Sequence, residues 1–153
     1  KSLASEKEAE VAKKYLKMTK IILPIDVVVK TDISAKKSIV SVKKISEISD
    51  NDTILDIGPK TIALFSKYIS LAKTVVWNGP LGMFEEKAFQ KGTLEIAKKI
   101  AKQAGKKTFC AVGGGETIEA LNLSGVAKKI NWVSTGGGAM LSYLSGENMP
   151  GLK

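Results

Sequence analysis

The stretch "TFCAVGGGETIEALN", from Thr108 to Asn122, decides the predicted fold because a strand, a turn and a helix follow one another in it. Its apolar first part is typical of a buried strand, and its last part has the pattern of a helix. A glycine turn between a strand and a helix leaves unpaired backbone N–H groups that can face an anion. The stretch therefore predicts a phosphate cradle, into which Glu116 brings a negative charge.

The sequence supports two interpretations of Glu116. If the phosphate arrives with Mg²⁺, a carboxylate fits, because that ion takes carboxylate and phosphate oxygens into one shell. Alternatively, the carboxylate simply interacts with the positive end of the helix dipole. The residues alone leave both interpretations open.

The rest of the chain alternates in the same way between predicted strands and helices. Ser5 and Glu8 form the pattern of a capping box ahead of the first helix. Thr93 is expected to cap a later helix, which Gly105 should end. The segment "SIVSVKKISEIS" is expected to be a short extended excursion and a loop. The predicted strands are "KIILPIDVVVK", "DTILDIGPK", "KTVVWNG", "KTFCAVGGG" and "NWVSTGGG", and the predicted helices between and after them are "KTIALFSKYISLA", "GTLEIAKKIAKQAG", "ETIEALN" and "AMLSYLSG".

This alternation predicts an α/β fold with a parallel sheet between helices, in a three-layer α/β/α arrangement. In such a sheet, every strand end that leads into a helix lies at one edge, and ligands bind outside that edge. Four glycine turns follow predicted strands, in "DIGP", "WNGP", "VGGGE" and "STGGG". We expect all four at the same edge, and a ligand site there.

Composition limits the chemistry of that site. The chain has 153 residues, of which 44% are hydrophobic and 25% charged, as in one ordinary globular domain. It contains no histidine, which excludes histidine bases and metal ligands, and its one cysteine, Cys110, is expected to be buried. No apolar run approaches the length of a membrane span.

The net charge of +9 favours an anionic partner. All 24 basic residues are lysine, however, so the arginine fork that nucleic-acid readers use is missing. The lysines are scattered along the polar sides of predicted helices. Solvated helix faces are therefore favoured over a nucleic-acid interface, and we expect neither a nucleic-acid nor a membrane partner.

The segment "VVWNGPLGMFE" carries the densest set of candidate ligand contacts. Asn78 ends a strand and can donate its amide to a phosphate or ribose oxygen. Glu85 is an acceptor suited to a pair of ribose hydroxyls. Met83 lies where a ring could rest, whereas Trp77 and Phe84 are expected in the core. Neither GxGxxG nor the GxxxxGK[ST] pattern occurs, so a phosphate enzyme of this kind would act by positioning and electrostatics.

The motifs "LPIDVVV", "LDIGPKT", "VVWNGPLGMFE", "VGGGET" and "VSTGGGAML" occur in the order and spacing of phosphoglycerate kinases, which the chain resembles over nearly its whole length. The resemblance implies a Rossmann-like parallel sheet with helices on both faces that lacks its first strands. Residues 1–153 would be a partial C-terminal nucleotide-binding domain of a two-domain kinase, without the N-terminal substrate domain. An unpaired sheet edge is then expected.

The resemblance also implies a function. Phosphoglycerate kinases transfer a phosphoryl group between ATP and 3-phosphoglycerate with Mg²⁺, and the full-length parent would be a monomeric cytoplasmic enzyme of glycolysis. The segment would supply the nucleotide site and be inactive alone. An isolated module that binds MgADP or MgATP without catalysis is the alternative, and a basic nucleic-acid binder is a third hypothesis that rests on charge alone.

Site residues are carried over by the resemblance, position by position. Glu116 departs from the family, which usually has Asp as the Mg²⁺ ligand there, and Met83 replaces a more usual Val. The implied roles are an adenine slot (Leu55, Met83), ribose and phosphate contacts (Asn78, Glu85), phosphate binding (Gly114, Gly115, Thr117), the metal (Glu116) and catalytic backbone donors to the phosphoryl in transit (Gly137, Gly138).

Overall fold

The computed structural model describes residues 5–16, 18, 20–34, 37–106 and 108–151. These residues form two three-stranded sheets, one antiparallel and one parallel, connected and flanked by helices. The helices are α1 (Glu6–Tyr15), α2 (Pro59–Leu71), α3 (Lys91–Ala104), α4 (Gly115–Leu123) and α5 (Gly137–Ser145). The strands are β1 (Asp26–Ser34), β2 (Lys37–Lys44), β3 (Asp52–Ile57), β4 (Thr74–Asn78), β5 (Phe109–Gly113) and β6 (Trp132–Ser134).

The parallel sheet confirms the predicted α/β class. Its strand order is β4-β5-β6, and each strand leads towards a helix. Buried side chains of β4, β5, α3 and α4 form the core, which includes Trp77, Phe84 and Cys110 as predicted. The pKa of the Cys110 thiol is raised by burial, which keeps this residue in the packing role that the sequence indicated.

The first two predicted strands do not join that sheet. The parallel sheet is therefore smaller than expected, with β4, β5 and β6 as its strands in the described part of the chain. β1 instead pairs antiparallel with β2 and with β3, in the order β2-β1-β3. The segment expected to be an excursion and a loop is a full strand, β2, followed by a short 3-10 turn at Ile45–Glu47. A hairpin needs only a short connection, whereas a parallel pair needs a long crossover, and β1 and β2 are separated by two residues.

Local signals located most helix ends correctly. Ser5 and Glu8 form both hydrogen bonds of the capping box, and Pro59 begins α2. Gly105 follows the last residue of α3. Because Gly58 offers no side chain to α2, the cap comes from β1: the Asp26 carboxylate accepts the N–H groups of Lys60 and Thr61 at 3.0 and 2.7 Å.

An edge of the parallel sheet is left without a neighbour, as expected. β4 pairs only with β5 within the described part of the chain, and Val76 is 43% exposed there. Beside it lies an apolar groove of about 260 Å³ whose lining includes Phe65, Tyr68 and Trp77. Among the described helices, none has both the length and the apolar character that a bilayer crossing requires.

A buried polar cluster supports the antiparallel sheet. Both oxygens of the Asp52 carboxylate accept hydrogen bonds from Lys43 Nζ, at 2.9 and 2.8 Å. The carboxylate also accepts bonds from the Thr31 hydroxyl and the Ser49 N–H. The bonds from Lys43, Thr31 and Ser49 together lower the pKa of Asp52. The cluster thereby ties β1, β2 and the turn before β3 to one carboxylate.

The lowered pKa of Asp52 predicts an acid-sensitive fold. A carboxyl whose folded pKa lies below its unfolded value of about 4 stabilises the fold above that pH, and the contribution is lost as the pH falls further. Urea unfolding should therefore give a steady midpoint from neutral pH to about pH 5 and a falling midpoint below about pH 4. Asp52→Asn should be less stable at neutral pH and show a flatter acid limb; an unchanged acid limb would contradict this assignment.

Candidate functional site

Three glycine turns lie side by side at the carboxyl edge of the parallel sheet. In the strand register, Asn78 is paired with Gly113, and Gly113 with Ser134. The fourth turn, "DIGP", ends β3 in the other sheet, so the prediction that all four share one edge is wrong. Its Gly58 instead lies against Asp26, whose carboxylate fills the space that a Cβ would need.

The N-termini of α4 and α5 touch each other at two glycines. A Cβ on Gly137 would lie 2.7 Å from the Cα of Gly114 and 2.9 Å from Nδ2 of Asn78. Gly114 has a φ of +98°, a conformation that favours glycine. Asn78 donates its side-chain amide to the Gly137 carbonyl at 3.0 Å. The Asn78 side chain therefore connects the end of β4 to the first residue of α5.

Some of the predicted backbone donors are already used inside the turns. The Gly114 N–H bonds the Ser134 carbonyl at 3.1 Å, and the Gly137 N–H bonds the Thr135 carbonyl at 3.1 Å. Gly115, Glu116 and Gly138 are exposed at the helix starts. A ligand at this edge would thus meet the first turns of α4 and α5, and a bond to Gly137 would replace the one to Thr135.

Thr117 is buried at 1% exposure, and its hydroxyl accepts the Gly79 N–H at 2.8 Å. The sequence suggested a direct phosphate contact for this residue. The contact seen is with the loop of residues 79–90, which follows β4 and carries Met83 and Glu85. Thr117 therefore connects this loop, called the 79–90 loop below, to the start of α4.

Three more hydrogen bonds hold the first part of the 79–90 loop in place. The Trp77 indole donates to the Gly79 carbonyl at 2.7 Å, and the Met83 N–H bonds the Leu55 carbonyl at 2.8 Å. The Leu81 N–H bonds the Thr93 hydroxyl at 3.1 Å. Thr93 was expected to cap α3, but α3 begins at Lys91, so Thr93 is inside the helix and fully buried. Its hydroxyl positions the loop instead.

Four of the predicted site residues line one cleft between β3, the 79–90 loop and the start of α4. The cleft has a volume of about 570 Å³, and Leu55, Met83, Glu85 and Glu116 are among its lining residues. Pockets of this size hold small-molecule ligands. Asn78, Gly114 and Gly137 do not line the cleft but meet at the adjoining glycine turns. The site thus has an apolar and acidic cleft next to two helix N-termini.

A β-bulge places Leu55 in the cleft wall. In the pairing of β1 with β3, Val28 is opposite Asp56 and Val29 is opposite Ile54, so Leu55 is the extra residue on β3. Bulges redirect side chains and are common beside active sites. The Leu55 carbonyl bonds the Met83 N–H. No turn residue or glycine in "TILDI" signals this bulge, so the sequence could not have located it.

The site's residues suit Mg²⁺ only together with a phosphate ligand. Within the described residues, no group of three His, Cys, Asp or Glu side chains is arranged to hold a metal ion. Mg²⁺ in phosphate-transfer sites is commonly held by one or two carboxylates, with substrate phosphates and water completing its shell. Glu116, exposed at the first turn of α4, fits the part of that single carboxylate.

The fold and the site together define an α/β domain in which glycine turns at the carboxyl edge of a parallel sheet adjoin a ligand-sized cleft. The family model for phosphoglycerate kinase matches residues 1–147, and the chain belongs to that family.

Relatives of known sequence agree with this assignment. A phosphoglycerate kinase from Lactobacillus delbrueckii subsp. bulgaricus is 45% identical over 99% of this chain and 37% of its own length. One from Solibacter usitatus is 42% identical, over 99% of this chain and 38% of the relative. The chain therefore spans well under half the length of these relatives.

Solved structures show the same fold. The phosphoglycerate kinase from Coxiella burnetii matches with a TM-score of 0.84 and 36% identity, over 96% of this chain and 38% of that one. The enzyme from Pyrococcus horikoshii OT3 matches with a TM-score of 0.78 and 31% identity, over 94% of this chain and 35% of that one.

The contact between the two helix starts predicts that alanine substitutions at two neighbouring glycines have different effects on stability. Gly137→Ala should lower the free energy of unfolding by about 1–3 kcal/mol, because the added methyl meets backbone atoms of Gly114 that cannot yield. Gly138→Ala should change it little, because nothing lies within 4 Å of its Cβ position. Chemical denaturation of both variants is the measurement, and equal stability of the two would contradict the described contact.

Proposed function

We propose that this chain forms the nucleotide-holding part of a phosphoglycerate kinase. The whole enzyme would catalyse Mg²⁺-dependent phosphoryl transfer between ATP or ADP and 3-phosphoglycerate or 1,3-bisphosphoglycerate, as a monomeric, cytoplasmic enzyme of glycolysis. The observation that carries this proposal is the single cleft lined by Leu55, Met83, Glu85 and Glu116, next to two adjacent glycine helix starts. Residues 1–153 would be part of the C-terminal domain, and the substrate domain would lie elsewhere in the full-length protein.

The cleft suits the nucleoside part of a nucleotide. Leu55 and Met83 both line the cleft and offer apolar surface on which the flat ring of adenine would rest. Glu85 lines the same cleft and is exposed, which supports the proposal that its carboxylate would accept both ribose hydroxyls. Asn78, whose amide bonds the Gly137 carbonyl, would act mainly by keeping the phosphate end of the site in register with β4.

The glycine turns suit the phosphates. The first N–H groups of α4 and α5 carry the positive ends of two helix dipoles, and their convergence favours a chain of negative charges. When bound, Mg²⁺ would neutralise phosphate charge, and Glu116 would be the residue that holds it. Gly137 and Gly138 would donate backbone N–H groups to the phosphoryl in transit, which is catalysis by preorganised donors without a side-chain nucleophile.

The isolated chain would bind nucleotide and lack turnover. Phosphoryl transfer needs the second substrate held in line with the nucleotide, and no part of the proposed site is assigned to that substrate. A module that binds MgADP without any catalytic parent is the alternative function, supported by the same cleft. Activity of the full-length protein distinguishes the two.

Nucleotide titration tests the proposal directly. Calorimetric titration of the chain with MgADP should give saturable binding in the micromolar to millimolar range. Glu116→Gln should weaken binding in the presence of Mg²⁺ by about tenfold, which corresponds to about 1.4 kcal/mol, and should change binding without Mg²⁺ much less. No heat at millimolar MgADP would contradict the proposed function.

Glu95→Gln provides the matched control for that titration. Glu95 lies on α3, pairs with Lys98 at 3.0 Å and is not among the residues that line the cleft. Its substitution removes the same charge and should leave both titrations unchanged. If Glu116→Gln also leaves the Mg²⁺ dependence unchanged, the Glu116 carboxylate acts on the helix end and not on the metal.

A coupled assay tests whether the chain is a segment of the enzyme. With MgATP and 3-phosphoglycerate, the chain of 153 residues should give no turnover above the enzyme-free blank. The same assay with the full-length protein should give activity. Robust turnover by the chain alone would overturn the assignment of the second substrate to another domain.

A further inference from the structure

We propose that Asp56 is a positioning residue. It sets the separation between β3 and the 79–90 loop, which are two walls of the cleft, and thereby the affinity for the nucleoside part of a nucleotide. This inference rests on the proposed function and extends it to a residue for which neither the sequence motifs nor the resemblance suggested a role. Asp56 follows Leu55 on β3, is itself among the residues that line the cleft and is 2% exposed.

Asp56 caps a helix that has no cap of its own. Gln90, the residue before α3, makes no side-chain cap bond. The Asp56 carboxylate instead accepts the Gly92 N–H at 2.7 Å through Oδ2, while Oδ1 accepts the Ile57 N–H at 2.8 Å. A negative charge at the N-terminus of a helix is stabilising. The start of α3, and with it the end of the 79–90 loop, is thus fixed to β3.

Asp56 also meets the first half of the same loop. A Cβ on Gly82 would lie 2.6 Å from Oδ1 of Asp56 and 2.7 Å from the Leu55 carbonyl oxygen. A Cβ on Gly92 would overlap the same Oδ1. Only glycine allows these two close approaches. The loop therefore rests on Asp56 at Gly82 and at Gly92, and Met83 and Glu85 lie between these two points.

The pKa of Asp56 is shifted in the opposite direction to that of Asp26, another buried aspartate. Asp26 is also buried, which opposes its ionisation, but bonds from Thr61 and from the backbone of Lys60 and Thr61 outweigh burial and lower its pKa. For Asp56, burial outweighs the bonds from Gly92 and Ile57, so its pKa is raised. The bonds from Ile57 and Gly92, together with the close approaches of Gly82 and Gly92, hold the Asp56 carboxylate in this buried place.

The test compares the binding of a ligand that contains a nucleoside with the binding of phosphates alone. Asp56→Asn keeps the shape of the side chain but turns one acceptor into an amide donor that faces an N–H group. Titration with MgADP and with Mg-tripolyphosphate should show about tenfold weaker ADP binding and unchanged tripolyphosphate binding, since tripolyphosphate needs only the glycine turns. Gly82→Ala, whose methyl presses on Asp56 and Leu55, should give the same split and serves if Asp56→Asn does not fold.

Asp52→Asn is the matched control. Asp52 lies four positions earlier on β3 with 1% exposure, is held by several hydrogen bonds and does not line the cleft. At a temperature where circular dichroism shows every variant folded, it should bind both ligands like the unmodified chain. An equal loss of ADP and tripolyphosphate binding in Asp56→Asn and Gly82→Ala, or ADP binding unchanged in both, would overturn the inference. If the unmodified chain binds no ADP, the proposed function fails first and this inference fails with it.

Discussion

The close approach of two backbones, at Gly114 and Gly137, is the constraint on which the rest of the site depends. Two helix N-termini repel each other electrostatically, since each carries a partial positive charge. They can be adjacent only if no side chain separates the backbones and if polar groups hold them in place. The absence of a Cβ meets the first condition, and the Asn78 amide and the Ser134 carbonyl meet the second. The resulting concentration of positive potential makes this edge suited to several phosphates.

The cleft beside these helix starts is built by hydrogen bonds between elements far apart in sequence. Thr117, Thr93 and the Leu55 carbonyl each receive an N–H group from the 79–90 loop. The hydroxyls of Thr93 and Thr117 are buried, so these bonds are protected from water. These bonds tie a loop without regular secondary structure to β3, α3 and α4. Met83 and Glu85 reach the cleft from this loop, which contains neither helix nor strand.

Much of the fold and part of the site could be predicted from sequence, and the successes share a physical reason. The capping box at Ser5, the proline that begins α2 and the glycine that ends α3 are local signals, whose meaning depends on a few neighbouring residues. The glycine turns after β4, β5 and β6 were predicted for the same reason. The motif resemblance assigned Leu55, Met83, Glu85 and Glu116 to one nucleotide site; they line one cleft, and their roles towards a ligand stay predictions.

The failures concern pairing between distant segments. The alternation of strands and helices predicts one parallel sheet, but β1, β2 and β3 form an antiparallel sheet of their own. Nothing local in "DTILDIG" distinguishes a strand with a parallel neighbour from one with an antiparallel neighbour. Thr93 was likewise given the local role of a helix cap, whereas its partner lies in the 79–90 loop. No local signal marks Asp56, because its bonds and contacts join β3 to α3 and to the 79–90 loop.

The extra residue in β3 interrupts strand pairing and at the same time forms part of the cleft. Without Leu55, β1 and β3 could pair without interruption, since Val28 and Val29 already face Asp56 and Ile54 on either side of it. Such a strand would gain a continuous ladder but would lose the carbonyl that receives Met83 and the side chain in the cleft. Deletion of Leu55 would thus be selected as a stabilising change in this chain, although it removes part of the cleft wall.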